Sequence, residues 1–176
     1  PTASANSFQY YPRGQGRLSI AMADVTGHGM QAAIPNVLFS GMLENQMESE
    51  VDPETLMDNL NRSLTRSLEP RTFVCFSLGE LDPDLRRIRL VNGGCPYPYH
   101  YIAETAKVSE VETGSLPLGL HIGSQYSGVD CDLAIRDRIV FCSDGMIEAS
   151  NANGQLFDFE RTRLTVERLA KQGLTA

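Results

Sequence analysis

Leu18-Ser19-Ile20-Ala21-Met22-Ala23-Asp24-Val25-Thr26-Gly27-His28-Gly29 is an apolar run that stops on an aspartate followed by glycine punctuation. Ile139-Val140-Phe141-Cys142-Ser143-Asp144-Gly145 repeats the arrangement late in the chain. Each reads as a buried strand ended by turn-favouring residues. A carboxylate fixed at a strand end suits a hard cation, because magnesium and manganese prefer carboxylate, carbonyl and water oxygens. Gly27 and Gly29 permit positive φ and close backbone approach, and Gly145 is read as the same kind of turn. Two carboxylates converging without a cation would repel. The pattern therefore points to Asp24 and Asp144 sharing one metal site, with the Val25 carbonyl as a further ligand. Asp-Gly is also an ordinary turn pair, so spacing alone leaves a metal site and a structural turn both open. His28 reads as a turn residue and is only a weak candidate acid.

The chain has 176 residues, 21% of them charged and 41% hydrophobic, which is the composition of an ordinary globular domain. Its net charge of −7 argues against a nucleic-acid binder. The basic run Arg86-Arg87-Ile88-Arg89 reads as the solvated face of a hairpin strand. No apolar run approaches the length needed to span a bilayer. Cys75, Cys95, Cys131 and Cys142 show no CxxC spacing, which favours a reducing cytoplasm over disulfides or zinc. Gly-x-Ser-x-Gly is absent, so a nucleophilic serine triad is unsupported.

The hydrophobic pattern predicts strands over 8–11 and 17–23 and a helix over 30–47. That helix carries Ala33, Val37, Leu38, Met42 and Leu43 on its apolar face, with Pro35 tolerable only near the first turn. Asp52-Pro53-Glu54 opens a second helix with a Leu56, Leu60, Leu64, Leu68 stripe. A hairpin over 72–80 and 86–92 turns at Asp82-Pro83-Asp84, and short strands follow over 97–102, 107–112, 125–133 and 138–142. A helix over 159–171 comes last. The expectation is an α/β domain of antiparallel sheets covered by helices.

Asp24-Val25-Thr26-Gly27-His28-Gly29-Met30-Gln31-Ala32-Ala33 resembles the D-V-S/T-G-x-G-x-x-A-A signature of SpoIIE/RsbU-type metal-dependent (PPM, phosphatase 2C-like) serine/threonine protein phosphatases. Ser143-Asp144-Gly145-Met146-Ile147-Glu148-Ala149, with Asn151, Gly154, Phe157 and Glu160-Arg161, is similar to a second block of that family. Asn92-Gly93-Gly94-Cys95-Pro96 and Pro117-Leu118-Gly119 are similar to its N-A-G-H-x-P and P-L-G segments. The resemblance implies a four-layer α-β-β-α sandwich with two antiparallel sheets flanked by helices. It implies that Asp24 bridges two Mn2+ or Mg2+ ions, with the Val25 carbonyl on one and Asp144 on the other. It further implies a cytoplasmic signalling domain acting on phosphoserine or phosphothreonine in an anti-anti-sigma-factor-like partner, in sigma-factor and stress-response control. Some relatives are output domains of response regulators in two-component signalling, including RssB-like adaptors. The chain reads as a single such domain over 1–176, excised from a longer multidomain protein and lacking its extreme C-terminal strands. A homodimer fits an output domain, with nothing in the sequence to specify its interface.

Against the family's G-G-D-x-x-D first strand, this chain carries Asn6 and Gln9 where acids are expected. Asn6 offers a carbonyl oxygen without charge, which makes it a weak candidate ligand and loosens the second cation. Cys95 stands at the family histidine, Phe157-Asp158-Phe159 lacks a glycine, and the final metal-binding aspartate is not reached by Ala176. Two functions follow: a metal-dependent phosphatase, which is favoured, and a degenerate phosphatase fold that binds a regulatory protein.

Overall fold

The computed structural model describes residues 5–26 and 30–173. In chain order the elements are β1 (Ala5–Pro12), a 3₁₀ turn (Gly14–Gly16), β2 (Leu18–Val25), α1 (Met30–Met47), α2 (Pro53–Ser67), β3 (Val74–Asp82), β4 (Arg87–Gly93), β5 (Tyr99–Ile102), β6 (Lys107–Glu110), β7 (Val129–Asp132), β8 (Arg138–Val140), α3 (Asp144–Ile147) and α4 (Asp158–Lys171). They fall into two compact units, one running to Cys95 and including Thr113–Cys131, the other made of Pro96–Glu112 and the chain from Asp132 onward.

The first unit holds a sheet ordered β1-β2-β3-β4-β7. The β1/β2, β2/β3 and β3/β4 pairs are all antiparallel. Alternation along the strands gives the sheet two different faces. Ala21, Ala23, Val25, Val74, Phe76, Leu78 and Val91 pack with Phe39, Leu43, Leu56, Met57, Leu60 and Leu64 of the two helices. Asp24, Met22, Cys75 and Ser77 lie on the other face by the same alternation. Phe39 meets Phe76 edge-on, with ring centroids 5.2 Å apart.

α2 forms as its sequence directs. The Asp52 carboxylate accepts from the Thr55 backbone N–H at 2.8 Å and from its hydroxyl at 2.8 Å, and proline occupies the first turn. Leu56, Leu60 and Leu64 are buried and Leu68 packs against the same core. Each fully buried leucine contributes about 1.5–3 kcal/mol.

α1 departs from the expected stripe. Ala33 is exposed and Val37 is 73% exposed, whereas Phe39, Leu43 and Met47 at four-residue spacing are buried. Pro35 lies inside the helix, beyond its first turn, and removes the N–H that would reach Gln31. Among the described side chains the buried face of α1 begins at Phe39, which a count of hydrophobic residues does not reveal.

The α1–α2 connection is tied to the β1–β2 corner by one buried side chain. The Arg13 guanidinium donates to the carbonyls of Met47 (2.5 Å), Ser49 (2.7 Å) and Val51 (3.3 Å). Its Nε stands 3.7 Å from a Glu80 carboxylate oxygen.

The expected strand over 125–133 is shorter, covering only Val129–Asp132. Ahead of it, the Gln125 carbonyl accepts from the Ser115 hydroxyl, and Gly128 N–H donates to the Glu54 carboxylate. Side chains there take backbone groups that a ladder would have used.

The second unit holds a three-stranded antiparallel sheet ordered β6-β5-β8. Tyr99, Tyr101, Val108 and Cys142 pack with Val166 and Ala170 of α4. Asp137 organises one corner: its carboxylate accepts from the backbone of Ala103 (2.8 Å) and Ala134 (3.0 Å), and pairs with His100 Nε2 at 3.2 Å. No helix among the described residues is long and apolar enough to cross a membrane.

Candidate metal centre

Asp24 is the next-to-last residue of β2 and is half-buried. The ladder places it directly opposite position 6 of β1 on one side and Cys75 of β3 on the other. Residues directly opposite in an antiparallel pair share a face, with Cβ atoms about 4.5–5.5 Å apart. Position 6, Asp24 and Cys75 therefore form one row across three strands. Gln9 does not belong to it. It pairs with Ala21, on the helix-packed face, and its side-chain oxygen accepts from the Tyr11 hydroxyl. The D-x-x-D spacing crosses from one face of a strand to the other, so only position 6 neighbours Asp24.

Val25 is buried, and the peptide after it is held beyond the end of the strand by Thr26. Thr26 N–H donates to the Phe73 carbonyl at 3.1 Å. Its hydroxyl donates to the same carbonyl at 2.9 Å and accepts from Phe73 N–H at 3.0 Å. The hydroxyl thus stands in for the Thr26 carbonyl as acceptor of Phe73 N–H at the end of the ladder. These three bonds hold the Val25–Thr26 peptide against Phe73. The sequence pattern contained this residue without assigning it a task. Gly27, His28 and Gly29 lie outside the described residues.

Asp144 is not at a strand end. β8 stops at Val140, and Asp144 is the exposed first residue of the short α3, anchored by buried Ile147. Its carboxylate accepts from Gly145 N–H at 2.7 Å, and its carbonyl accepts from Glu148 N–H at 2.8 Å. Gly145 is helical rather than a turn residue. A Cβ there would approach only the Ser143 hydroxyl, at 3.7 Å, so neither conformation nor crowding demands glycine. Cys142, just upstream, is a buried thiol whose pKa is pushed up by burial.

Asp24 belongs to the first unit and Asp144 to the second. No group of three or more His, Cys, Asp or Glu residues arranged to hold a metal ion occurs among the described residues. The Asp24 and Asp144 carboxylates and the Val25 carbonyl are each hard oxygen donors, of the kind that Mg2+ and Mn2+ prefer.

The two glycine motifs serve packing. Gly94 has φ +85°, and a Cβ there would stand 2.5 Å from Pro117 Cγ. Gly119 also has φ +85°, and its N–H donates to the Asn61 carboxamide at 2.9 Å. Asn92 closes its own turn, with its carboxamide bonding both N–H and carbonyl of Cys95.

These units together have the fold of phosphatase 2C-like domains. The structure of the RsbU and RsbW domains of Rv1364c from Mycobacterium tuberculosis aligns with a TM-score of 0.83 at 24% identity, covering 97% of this chain and 47% of that one. The SiaA-PP2C domain of Pseudomonas aeruginosa aligns with a TM-score of 0.83 at 18% identity, covering 96% of this chain and 68% of that one. RsbX in complex with magnesium aligns with a TM-score of 0.67 at 13% identity, covering 96% and 81% respectively.

The family described as Stage II sporulation protein E (SpoIIE) matches residues 14–176, and the chain belongs to it. Its curated relatives include the phosphoserine phosphatase RsbU of Bacillus subtilis (strain 168), 24% identical over 152 residues, 86% of this chain and 45% of RsbU. The phosphoserine phosphatase RsbP of the same organism is 24% identical over 159 residues, 88% of this chain and 39% of RsbP. The chain thus spans less than half the length of these relatives.

Proposed function

We propose that this chain is a cytoplasmic metal-dependent phosphoserine/phosphothreonine protein phosphatase domain acting on an anti-anti-sigma-factor-like phosphoprotein in sigma-factor control. The observation that carries the reading is the pair Asp24 and Asp144, in a SpoIIE-family chain whose curated relatives are named phosphoserine phosphatases. Asp24 and Asp144 serve as carboxylate ligands and the Val25 carbonyl as the backbone ligand to Mn2+ or Mg2+. When bound, such ions lower the pKa of coordinated water toward ~7 and offset charge on the phosphoryl oxygens. The protein's own contribution is rigidity: Thr26 holds the Val25 peptide, and the antiparallel ladder holds Asp24. Fixed oxygens need no reorganisation as charge develops, which is where electrostatic catalysis gains most.

A Mn2+-dependent assay on a phosphoserine protein substrate, with Asp144→Asn beside the parent, tests this. Turnover should fall on the order of a hundredfold or more, the range lost when one preorganised group is removed. Turnover that survives the substitution would sink the mechanism. One observation favours a second reading. Position 6, opposite Asp24, is asparagine rather than an acid, as suits a phosphatase fold retained to bind a regulatory protein. Absence of Mn2+ binding at millimolar concentration would decide for that reading.

A further inference from the structure

The hairpin following α3 and the first turn of α4 border a solvent-open recess of about 220 Å³, lined by Ala149, Ser150, Asn151, Gln155, Phe157 and Arg161. Ligand pockets for small molecules usually run from about 300 to 1,000 Å³, so this one suits a single side-chain head group rather than a cofactor. Its frame is held by hydrogen bonds. Phe157 N–H donates to the Ala149 carbonyl at 2.7 Å, and Asn151 N–H to the Gln155 carbonyl at 3.0 Å. The Asn151 carboxamide oxygen accepts from the N–H groups of Asn153 (2.9 Å) and Gln155 (3.1 Å). Its nitrogen donates to the Gln155 side-chain oxygen at 3.0 Å, which leaves the Gln155 amino group available.

Arg161 completes the wall. The neighbouring acids of α4 are committed to other cations: Glu160 to Arg163, and Glu167 to Arg163 and Lys171. The Asp158 carboxylate accepts from the backbone N–H of Arg161, not from its side chain. Among the described residues the Arg161 guanidinium has no acidic partner. Helix stability does not account for it, since a cation in a first turn opposes the helix dipole. The exposed Arg161 guanidinium lines the same recess as the Ser150 hydroxyl and the Gln155 amide, which together offer charged and neutral donors to an anion.

We propose that this recess is an oxyanion site that takes a phosphoryl group carried on a protein segment. Arg161 donates in bidentate fashion, the Ser150 hydroxyl and Gln155 amide complete the contacts, and the Phe157 ring packs on the carbons of the phosphorylated side chain. A phosphoryl group, with three oxygens, uses this donor set more fully than a carboxylate does. The site docks a phosphorylated segment and takes no part in its hydrolysis. The phosphatase reading supplies only the expectation that phosphorylated proteins are the natural carriers; the oxyanion chemistry rests on the lining residues.

The test is an amide NMR titration of the intact, metal-stripped chain, in which turnover plays no part. The probes are inorganic phosphate, the blocked peptide acetyl-Ala-phosphoSer-Ala-amide, and its unphosphorylated counterpart. The proposal expects saturable shifts centred on 149–161 with the phosphopeptide and none with the unphosphorylated peptide. Affinity should fall about tenfold or more in Arg161→Gln, as for loss of a charged hydrogen-bond donor. Ser150→Ala should give a smaller fall, which guards against a misfolded arginine variant. Shifts with free phosphate but none with the phosphopeptide, or an unchanged affinity in Arg161→Gln, would overturn it. Asp144→Asn should leave these shifts intact, so a failed catalytic reading and a failed docking site give different results.

Discussion

Replacing Arg13 with methionine removes the charge and the donors while retaining an unbranched chain of similar reach. In the native structure the guanidinium satisfies three carbonyls at the end of α1 and in the connection to α2, at 2.5, 2.7 and 3.3 Å. The side chain is 3% exposed, so solvent does not substitute for it. Hydrogen bonds from charged donors contribute about 1.5–3 kcal/mol each, and the longest of the three contributes least. Breaking a buried ionic contact costs roughly 3–5 kcal/mol when it strands the partner charge. Glu80 is not stranded, because Arg17 remains 2.9 Å from its other oxygen, which places the expected loss near the lower limit, about 3 kcal/mol. For a domain of this size each kcal/mol lowers Tm by about 2–4 °C, so Arg13→Met should melt roughly 6–12 °C below the parent. Thermal melting with parallel urea titration is the assay, and the midpoint should fall at constant m. Arg17→Gln, which removes a more exposed cation, should change stability by no more than about 1 kcal/mol. A Tm for Arg13→Met within about 2 °C of the parent would refute the reasoning, because the three carbonyls would then have another source of donors.

Asn6→Asp places a carboxylate directly across the ladder from Asp24 and should tighten Mn2+ binding by calorimetry while lowering the melting temperature of the metal-free protein. Unchanged affinity would remove position 6 from the ion's surroundings. Burial alone would raise the pKa of Asp137, but hydrogen bonds from Ala103, Ala134 and His100 outweigh it and hold the carboxyl below its ordinary value of 3.8. Its contribution to stability is therefore present above that value and lost as pH falls through the lower native one. Acid titration of folding should show Asp137→Asn losing less stability than the parent in that window, and parallel curves would contradict the assignment.

Much of the fold is legible in the chain because local and tertiary preferences agree. The apolar run Leu18–Val25 forms a strand with Ala21, Met22, Ala23 and Val25 buried, and α2 starts at its proline behind a capping aspartate. The turn after Asp82 forms as its carboxylate bonds the N–H groups of Asp84 and Leu85. Where they disagree, the sequence misleads. The N-terminal half of α1 is apolar yet exposed at Ile34 and Val37, so hydrophobicity there does not identify contact. At Asp144 the apolar run predicts a strand right up to the carboxylate, but the ladder ends earlier and Ser143-Asp144-Gly145 starts a helical turn. The candidate site is proposed from residue types, Asp24, Val25 and Asp144. The supporting work of Thr26 is not, because a hydroxyl that replaces a backbone partner leaves no periodic trace. Gln9 illustrates the converse: its spacing from Asn6 suggests a shared site, and strand geometry separates them.

The close approach of Gly94 to Pro117 brings two segments distant in sequence against each other. A side chain at 94 would overlap the proline ring and strain a left-handed backbone, so position 94 is held to glycine twice over. The constraint runs one way: a smaller residue at 117 leaves Gly94 undisturbed, whereas a side chain at 94 is strained whatever stands at 117. Gly94 needs no chemical role to be retained in that way.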